Sequence, residues 1–521
     1  MHDRPLLHLL VPEWGGVGIY QTFGHRFPPM SLLVLAAHAR RAGWDVEIFD
    51  LNYEPNPVAK AEEGWPGRRS NFMMPTKKRR AGKPDLAALT VWTPNSPNAY
   101  GTADAYRAQG VPVILGGVHA SLMPGEAIRH ADSVVCGEAD SIFGDILADA
   151  LAGRLQPLYQ GSFQGMENVP MNHEWVDLYQ MWPLTRYAPL NTLQTTRGCR
   201  FNCDFCSVIR INGRGSRHSQ IDRVIEEVRV LKRTGQHMGD FAYLFFLDDD
   251  MAADLEYTKE LCEAIVRSGV KFTWGCQASI GLARDPEMLD LAARAGLRAM
   301  FTGFESMSRD ALIECNKKNR PGEFGEFIEK IHRRGISIEG GFIFGFDHDK
   351  ADVFQHTADF VNLIGVDVAH FSILTPYPGT HTFSRMYQDG RILSYDWRQY
   401  NLYHVVHQPA QMTPQQLHDG IRDVYKWFYA GRRRWPRFQK HLWDRDQRFN
   451  MAFAACNYNY DRRYRNLILD EAPPFEADPD EVARMALASA APAQEALTVA
   501  YQQAAPNVTF LPHKPVAPAP V

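Results

Sequence analysis

The sequence predicts an α/β chain in three parts: a doubly wound, Rossmann-like parallel sheet over residues 1–152, a partial (β/α)6 barrel over 191–395, and a helical C-terminal domain over 396–470. Three observations predict it. Short apolar runs alternate with helical spacing through the first 150 residues, and such alternation makes a parallel sheet. From Leu193 further strand–helix repeats follow, with polar residues at the strand ends, as in a barrel whose open face carries chemistry. Thr413-Pro414-Gln415-Gln416 then starts a helix with a hydroxyl cap and a proline in the first turn, and helical spacing continues to about Arg434.

In the first part, the apolar run Leu6 to Val11 is stopped by Pro12 and reads as a buried strand. A loop holding Gly15, Gly16, Gly18 and Gly24 leads to a helix from Pro29 to Ala42, which stops at Gly43. Strands are expected at 45–50, 85–91, 111–115 and 132–136, with helices at 100–109 and 142–151. Residues 54–83, polar, proline-rich and basic, read as an irregular excursion, and 153–190, with no clear period, as a linker. In the barrel, helices are expected at 221–234, 255–268, 286–295, 324–334 and 353–364. Each leads into a strand, at 243–247, 272–277, 299–303, 337–345 and 370–374. The tail 471–521, rich in Ala and Pro, is expected to be disordered.

Ligands of doubly wound sheets lie beyond the carboxyl ends of the strands. Three loops at those ends are decorated: Thr93-Pro94-Asn95-Ser96, Gly116-Gly117-Val118-His119 and Gly137-Glu138. Glycines let a ligand approach the backbone, while hydroxyl and imidazole groups supply hydrogen bonds. A nucleotide site is one reading, but the first turn lacks G-x-G-x-x-G and the chain has no P-loop.

Chemistry concentrates at Cys199, Cys203 and Cys206, spaced Cys-x3-Cys-x2-Cys just after an apolar, threonine-rich run that reads as a strand. Thiolates ligate iron–sulfur clusters, and three of them on a [4Fe–4S] cubane leave one iron open. Zinc competes, with His218 as a fourth ligand, although no Cys-x2-Cys knuckle is repeated. Three buried structural cysteines are a poorer reading in a loop rich in Arg, Asn and Asp. Cys136, Cys262, Cys276, Cys315 and Cys456 are scattered singly among apolar neighbours and read as small buried hydrophobes; Cys276 and Cys315 fall in segments that approach the site.

The loop, with Phe205 as the aromatic before its last cysteine, resembles the signature loop of radical S-adenosylmethionine (SAM) enzymes. The resemblance implies that SAM chelates the open iron and is cleaved reductively to a 5'-deoxyadenosyl radical. It extends over roughly residues 1–395, through Leu247-Asp248-Asp249, Gly303-Phe304-Glu305-Ser306, the glycines around Phe342 and the segment Thr375 to Thr380. Phe205, Asp248, Gln277 and Glu305 are the SAM contacts it implies, while Asp250 reads equally well as a helix cap. Gly-Gly-x-His at 116–119, Pro124, Asp132 and Gly137-Glu138 resemble the cobalamin-binding domain that precedes many such cores. Thr93, Gly116, Gly117, His119, Gly137 and Glu138 are the contacts this implies. The Asp-x-His-x-x-Gly loop that ligates cobalt in mutases is absent, and His25 stands in a different context.

Taken together, the resemblance implies an enzyme using a [4Fe–4S] cluster, SAM and cobalamin, with an external flavodoxin- or ferredoxin-like electron donor. The expected reaction is methyl transfer to an unactivated carbon of a large apolar substrate, a tetrapyrrole or polycyclic isoprenoid. An oxidative cyclase related to the anaerobic enzyme of chlorophyll ring formation is the alternative. A non-catalytic corrinoid sensor would not need the cysteine loop.

Composition is compatible. A chain of 521 residues is too long for one core, and 45% hydrophobic with 22% charged residues is ordinary for a globular protein. A net charge of -4 offers no field for nucleic acid, and the basic runs at 77–80 and 432–434 read as solvated faces. No run reaches eighteen apolar residues, and Met1-His2-Asp3-Arg4 opens no signal-peptide core. A cytoplasmic protein without an integral membrane segment is expected.

Overall fold

The computed structural model describes residues 4–14, 29–52, 56–58, 83–163, 165–179, 190–233, 243–431, 437 and 477–488. The loop glycines 15–24 with His25, nearly all of the 54–83 excursion, both basic runs, Cys456 and the tail beyond 488 lie outside the described residues.

Six parallel strands form the first sheet: β1 (Leu6–Val11), β2 (Asp45–Asp50), β3 (Leu86–Thr90), β4 (Val113–Gly116), β5 (Ser133–Cys136) and β6 (Leu158–Gln160). Their order is β2-β1-β3-β4-β5-β6. The winding direction reverses between β1 and β3, which opens a crevice at the carboxyl ends of those strands. Strand β6 corrects the sequence reading: the expected linker begins as the sheet's last strand, pairing Val134 with Leu158 and Cys136 with Gln160. Three residues are too few to show a period.

The second sheet is also wholly parallel, in the order β14-β13-β12-β11-β10-β7. Its strands are β7 (Leu190–Leu193), β10 (Tyr243–Phe246), β11 (Thr273–Gln277), β12 (Leu297–Glu305), β13 (Ser337–Phe344) and β14 (Val368–Ile373). Spatial order follows chain order, as right-handed strand–helix–strand units require in an opening barrel. The threonine-rich run does not continue as one strand. It stops at Leu193, and β8 (Thr196–Arg197) pairs antiparallel with β9 (Arg217–His218), so the cysteine loop is held in a two-stranded clasp.

An open barrel leaves β14 with unpaired backbone groups on its outer edge. The helix Pro414–Phe428 covers that edge. Tyr425 Oη bonds both N–H and C=O of Phe371, at 2.9 Å each, and Tyr429 Oη does the same for Ala369, at 3.1 and 2.9 Å. The described part of the C-terminal region is therefore built into the barrel. The tail also departs from expectation: Pro479–Ala488 is a helix. It buries Val482, Met485 and Ala486 against Leu122, Phe383 and Trp397, and Glu481 accepts a hydrogen bond from the Gly125 N–H at 3.0 Å. Averaged over an Ala- and Pro-rich tail, one short amphipathic stretch disappears. Among the described residues no helix is long and apolar enough to cross a membrane.

Candidate functional site

The cysteine loop is anchored from below by carboxylates that follow β10. Asp248 is fully buried and accepts hydrogen bonds from the backbone N–H groups of Thr195 and Thr196, at 2.6 and 3.0 Å, and from the Thr195 hydroxyl. Asp249 accepts from the Gly198 N–H at 2.8 Å and from Asn212 Nδ2 at 3.0 Å. Asp250 accepts from Ala252 and Ser279 N–H. Both oxygens of Asp248 are thus committed to the chain entering the loop, and the side chain is closed off from ligand; the expected SAM contact is corrected to a loop anchor. Burial pushes its carboxyl up to about 6 although the Thr195 and Thr196 donors oppose the shift. Gly198 has a φ of +91°, and a Cβ there would meet Gly215 O at 2.4 Å. Only glycine fits this turn.

On the other side the loop meets the turn after the helix Arg309–Glu314. Asp204 N–H donates to Cys315 O at 3.1 Å, and Asn316 Nδ2 to Asn202 O at 2.8 Å. Cys199, Cys203 and Cys206 are free thiols. Burial pushes Cys199 up to about 11, raises Cys203, and pushes Cys206 up to about 12. Ligation must therefore displace protons. Among the described residues no three His, Cys, Asp or Glu side chains converge on a single ion. His218 is engaged elsewhere, stacked on Tyr257 with ring centroids 4.4 Å apart and 3.3 Å from Asp254. That disfavours a closed zinc site. A cubane takes its ligands at separate corners, so three thiols on one loop fit it.

Glu305 ends β12 beside a register shift, with a φ of +67° that non-glycine residues rarely adopt. It faces Lys317, Nζ to Oε1 2.9 Å. Burial alone would lower the Lys317 ammonium, but Glu305 and then Cys203 outweigh it and hold the ammonium above its ordinary value. Sequence reading missed Lys317; its only signal was a lysine twelve residues after the carboxylate. Gln277 ends β11, half-buried. Phe205 is half-buried and packs against the cluster that contains Cys315, Phe346 and Leu374.

A cavity of about 620 Å³ lies between the carboxyl ends of the first sheet and the cysteine loop. Gly116, Gly117, Gly137 and Glu138 line it from one side, Arg197 and Ser207 from the other. Largely apolar walls over a glycine floor suit a large ligand with flat apolar faces, such as a corrin. None of the described lining residues is a histidine.

Two expected contacts are elsewhere. His119 is fully buried, with Nδ1 3.2 Å from Thr93 Oγ1 and Nε2 3.1 Å from Glu126 Oε1. Glu126 also accepts from Tyr100 Oη and Trp397 Nε1. Thr93 and His119 are corrected to an internal network that joins the first sheet to the segment after the barrel. Glu138 lines the cavity, but both its oxygens accept from Arg217, and one also from Arg197.

Residues 16–147 match the B12 binding domain and residues 193–361 the Radical SAM superfamily. The chain is 32% identical to the bacteriochlorophyllide d C-12(1)-methyltransferase of Chlorobaculum tepidum, over 66% of its own length and 75% of that protein. It is 24% identical to the anaerobic magnesium-protoporphyrin IX monomethyl ester cyclase of Rubrivivax gelatinosus, over 78% of this chain and 74% of that protein. Among solved structures, the cobalamin-dependent S-adenosylmethionine radical enzyme OxsB with aqua-cobalamin bound superposes with a TM-score of 0.63 at 14% identity, covering 97% of this chain and 81% of that one.

Proposed function

This chain belongs to the radical SAM superfamily, with a B12 binding domain ahead of its core, and we propose that it is a C-methyltransferase acting on a large, mostly apolar, tetrapyrrole-like substrate. Its cofactors are a [4Fe–4S] cluster, SAM and cobalamin. Cys199, Cys203 and Cys206 would hold the cluster, Glu305 and Gln277 would contact SAM, and Gly116, Gly117 and Gly137 would receive the corrin. When bound, the cluster and SAM supply a carbon-centred radical and methylcobalamin supplies the methyl group.

One observation carries the reading: the corrinoid cavity and the cysteine loop share a wall, with Arg197 and Ser207 on both. A substrate held beside that wall would lie close to both cofactor sites. The protein's own work is positioning and exclusion of water. Asp248 and Asp249 fix the entry to the loop, Lys317 holds Glu305 in place, and apolar walls desolvate the substrate. The tetrapyrrole class rests on the 32% relative, a methyltransferase of bacteriochlorophyllide d. Reductive cleavage of SAM needs a low-potential electron, so a flavodoxin- or ferredoxin-like donor in the cytoplasm completes the reading.

The test is anaerobic turnover with methyl-labelled SAM, a strong reductant and bacteriochlorophyllide-type substrates. Methyl transfer puts label in the product and yields both 5'-deoxyadenosine and S-adenosylhomocysteine. Product without label and without S-adenosylhomocysteine would reject it in favour of cyclisation, the activity named for the Rubrivivax relative.

A further inference from the structure

The wall between the two cofactor regions is an ion-pair network. Arg197, buried to 12% side-chain exposure, donates to Asp140 through both terminal nitrogens, Nη1 to Oδ2 at 2.7 Å and Nη2 to Oδ1 at 3.3 Å. Its Nη1 also reaches Glu138 Oε2 at 3.2 Å, and its Nε donates to Gln194 Oε1 at 2.8 Å. Across the clasp, Arg217 lies in register with Arg197. It donates to Glu138 Oε2 at 2.9 Å and to Asn212 O at 2.8 Å. Glu138 and Asp140 belong to the loop after β5, which also carries Gly137 of the cavity floor. One peptide beyond Arg197, the Gly198 N–H is fixed by Asp249, and the next residue is Cys199.

We propose that Arg197 is a positioning residue that couples the two cofactor sites, so that filling the cluster site and binding cobalamin favour each other. The inference rests on the assignment of those two sites to the cluster and the corrin. A two-pronged guanidinium–carboxylate contact fixes direction as well as distance, and here it joins the corrinoid floor to a thiol-bearing loop through two residues of chain. Ligation at Cys199 restrains that loop, the restraint passes through Arg197 to Asp140 and Glu138, and Gly137 is held in place before cobalamin arrives. Ordering already completed by one ligand need not be supplied by the second, and the effect is reciprocal.

The experiment measures hydroxocobalamin affinity by anaerobic equilibrium dialysis on the full chain, cluster-loaded and cluster-free, for the parent, Arg197→Gln, Arg197→Lys and Asp140→Asn. The parent should bind roughly 10-fold more tightly with the cluster in place, a coupling typical in size. The ratio should fall towards one in Arg197→Gln and Asp140→Asn, and to an intermediate value in Arg197→Lys, while iron and sulfide per chain after reconstitution stay at the parent level. Simple structural support would weaken both affinities together and leave the ratio intact. An unchanged ratio in both variants, or a parent ratio of one, overturns the proposal; if Arg197→Gln does not fold, Asp140→Asn decides from the other side of the contact. A parent that takes up a cluster but never cobalamin overturns the corrinoid reading itself, and the coupling with it.

Discussion

Lys317 Nζ lies 2.9 Å from Glu305 Oε1, in an ion pair whose side chains are 18% and 9% exposed. The carboxylate belongs to a strand end with left-handed backbone geometry, and the ammonium belongs to a turn whose other residues hold the cysteine loop. Removing one partner of a buried pair leaves a charge uncompensated, at a cost of about 3 kcal/mol or more. Lys317→Met should therefore lower the melting temperature of the cluster-free chain markedly and weaken SAM binding, while Lys317→Arg preserves most of both. Calorimetry and SAM titration check this. A methionine variant as stable as the parent and as tight for SAM would show that the pair does neither job.

Asp248 separates a loop anchor from a ligand contact. Asparagine can still accept from Thr195 and Thr196 N–H, and the Thr195 hydroxyl can turn to accept from the new amide. Asp248→Asn should thus load near-parent iron. Asp248→Ala strands two buried N–H groups at about 1–3 kcal/mol each, and should lose most of its cluster. Iron assay after reconstitution decides; equal loading by the two variants contradicts the anchoring role.

For the cluster, alanine at Cys199, Cys203 or Cys206 should abolish the broad visible charge-transfer absorption and SAM cleavage. Alanine at Cys262 or Cys276, both buried in the core, should leave absorption and iron content intact. A triple alanine variant that still holds a full cluster would refute the ligand assignment.

His119 should not coordinate cobalt. With Thr93 on one nitrogen and Glu126 on the other, it ties the sheet together. His119→Ala should cost about 2 kcal/mol, read as a lower melting temperature, and leave the electron paramagnetic resonance of bound cob(II)alamin as in the parent. Nitrogen splitting from a protein imidazole in the parent, lost in this variant, would reverse that conclusion.

What the sequence determined by itself was everything that rests on neighbours along the chain. Apolar runs of four to nine residues marked the long strands, helical spacing placed 255–268 and 353–364 to the residue, and the cysteine spacing marked the loop that carries three thiols. Sequence position put Asp248, Thr93, His119, Glu138 and Glu305 at the carboxyl ends of strands. Only the tertiary structure decided which of them are taken up inside the protein, because a polar side chain there can satisfy groups brought in from elsewhere in the chain instead of a ligand. Asp248 turns to Thr195, 53 residues away, and His119 to Glu126 and Thr93. Long-range pairs such as Trp397 with Glu126, 271 residues apart, leave no local trace at all. The helix at 479–488 shows the same limit: its apolar face becomes stable through Leu122 and Phe383, partners that no window of the tail contains.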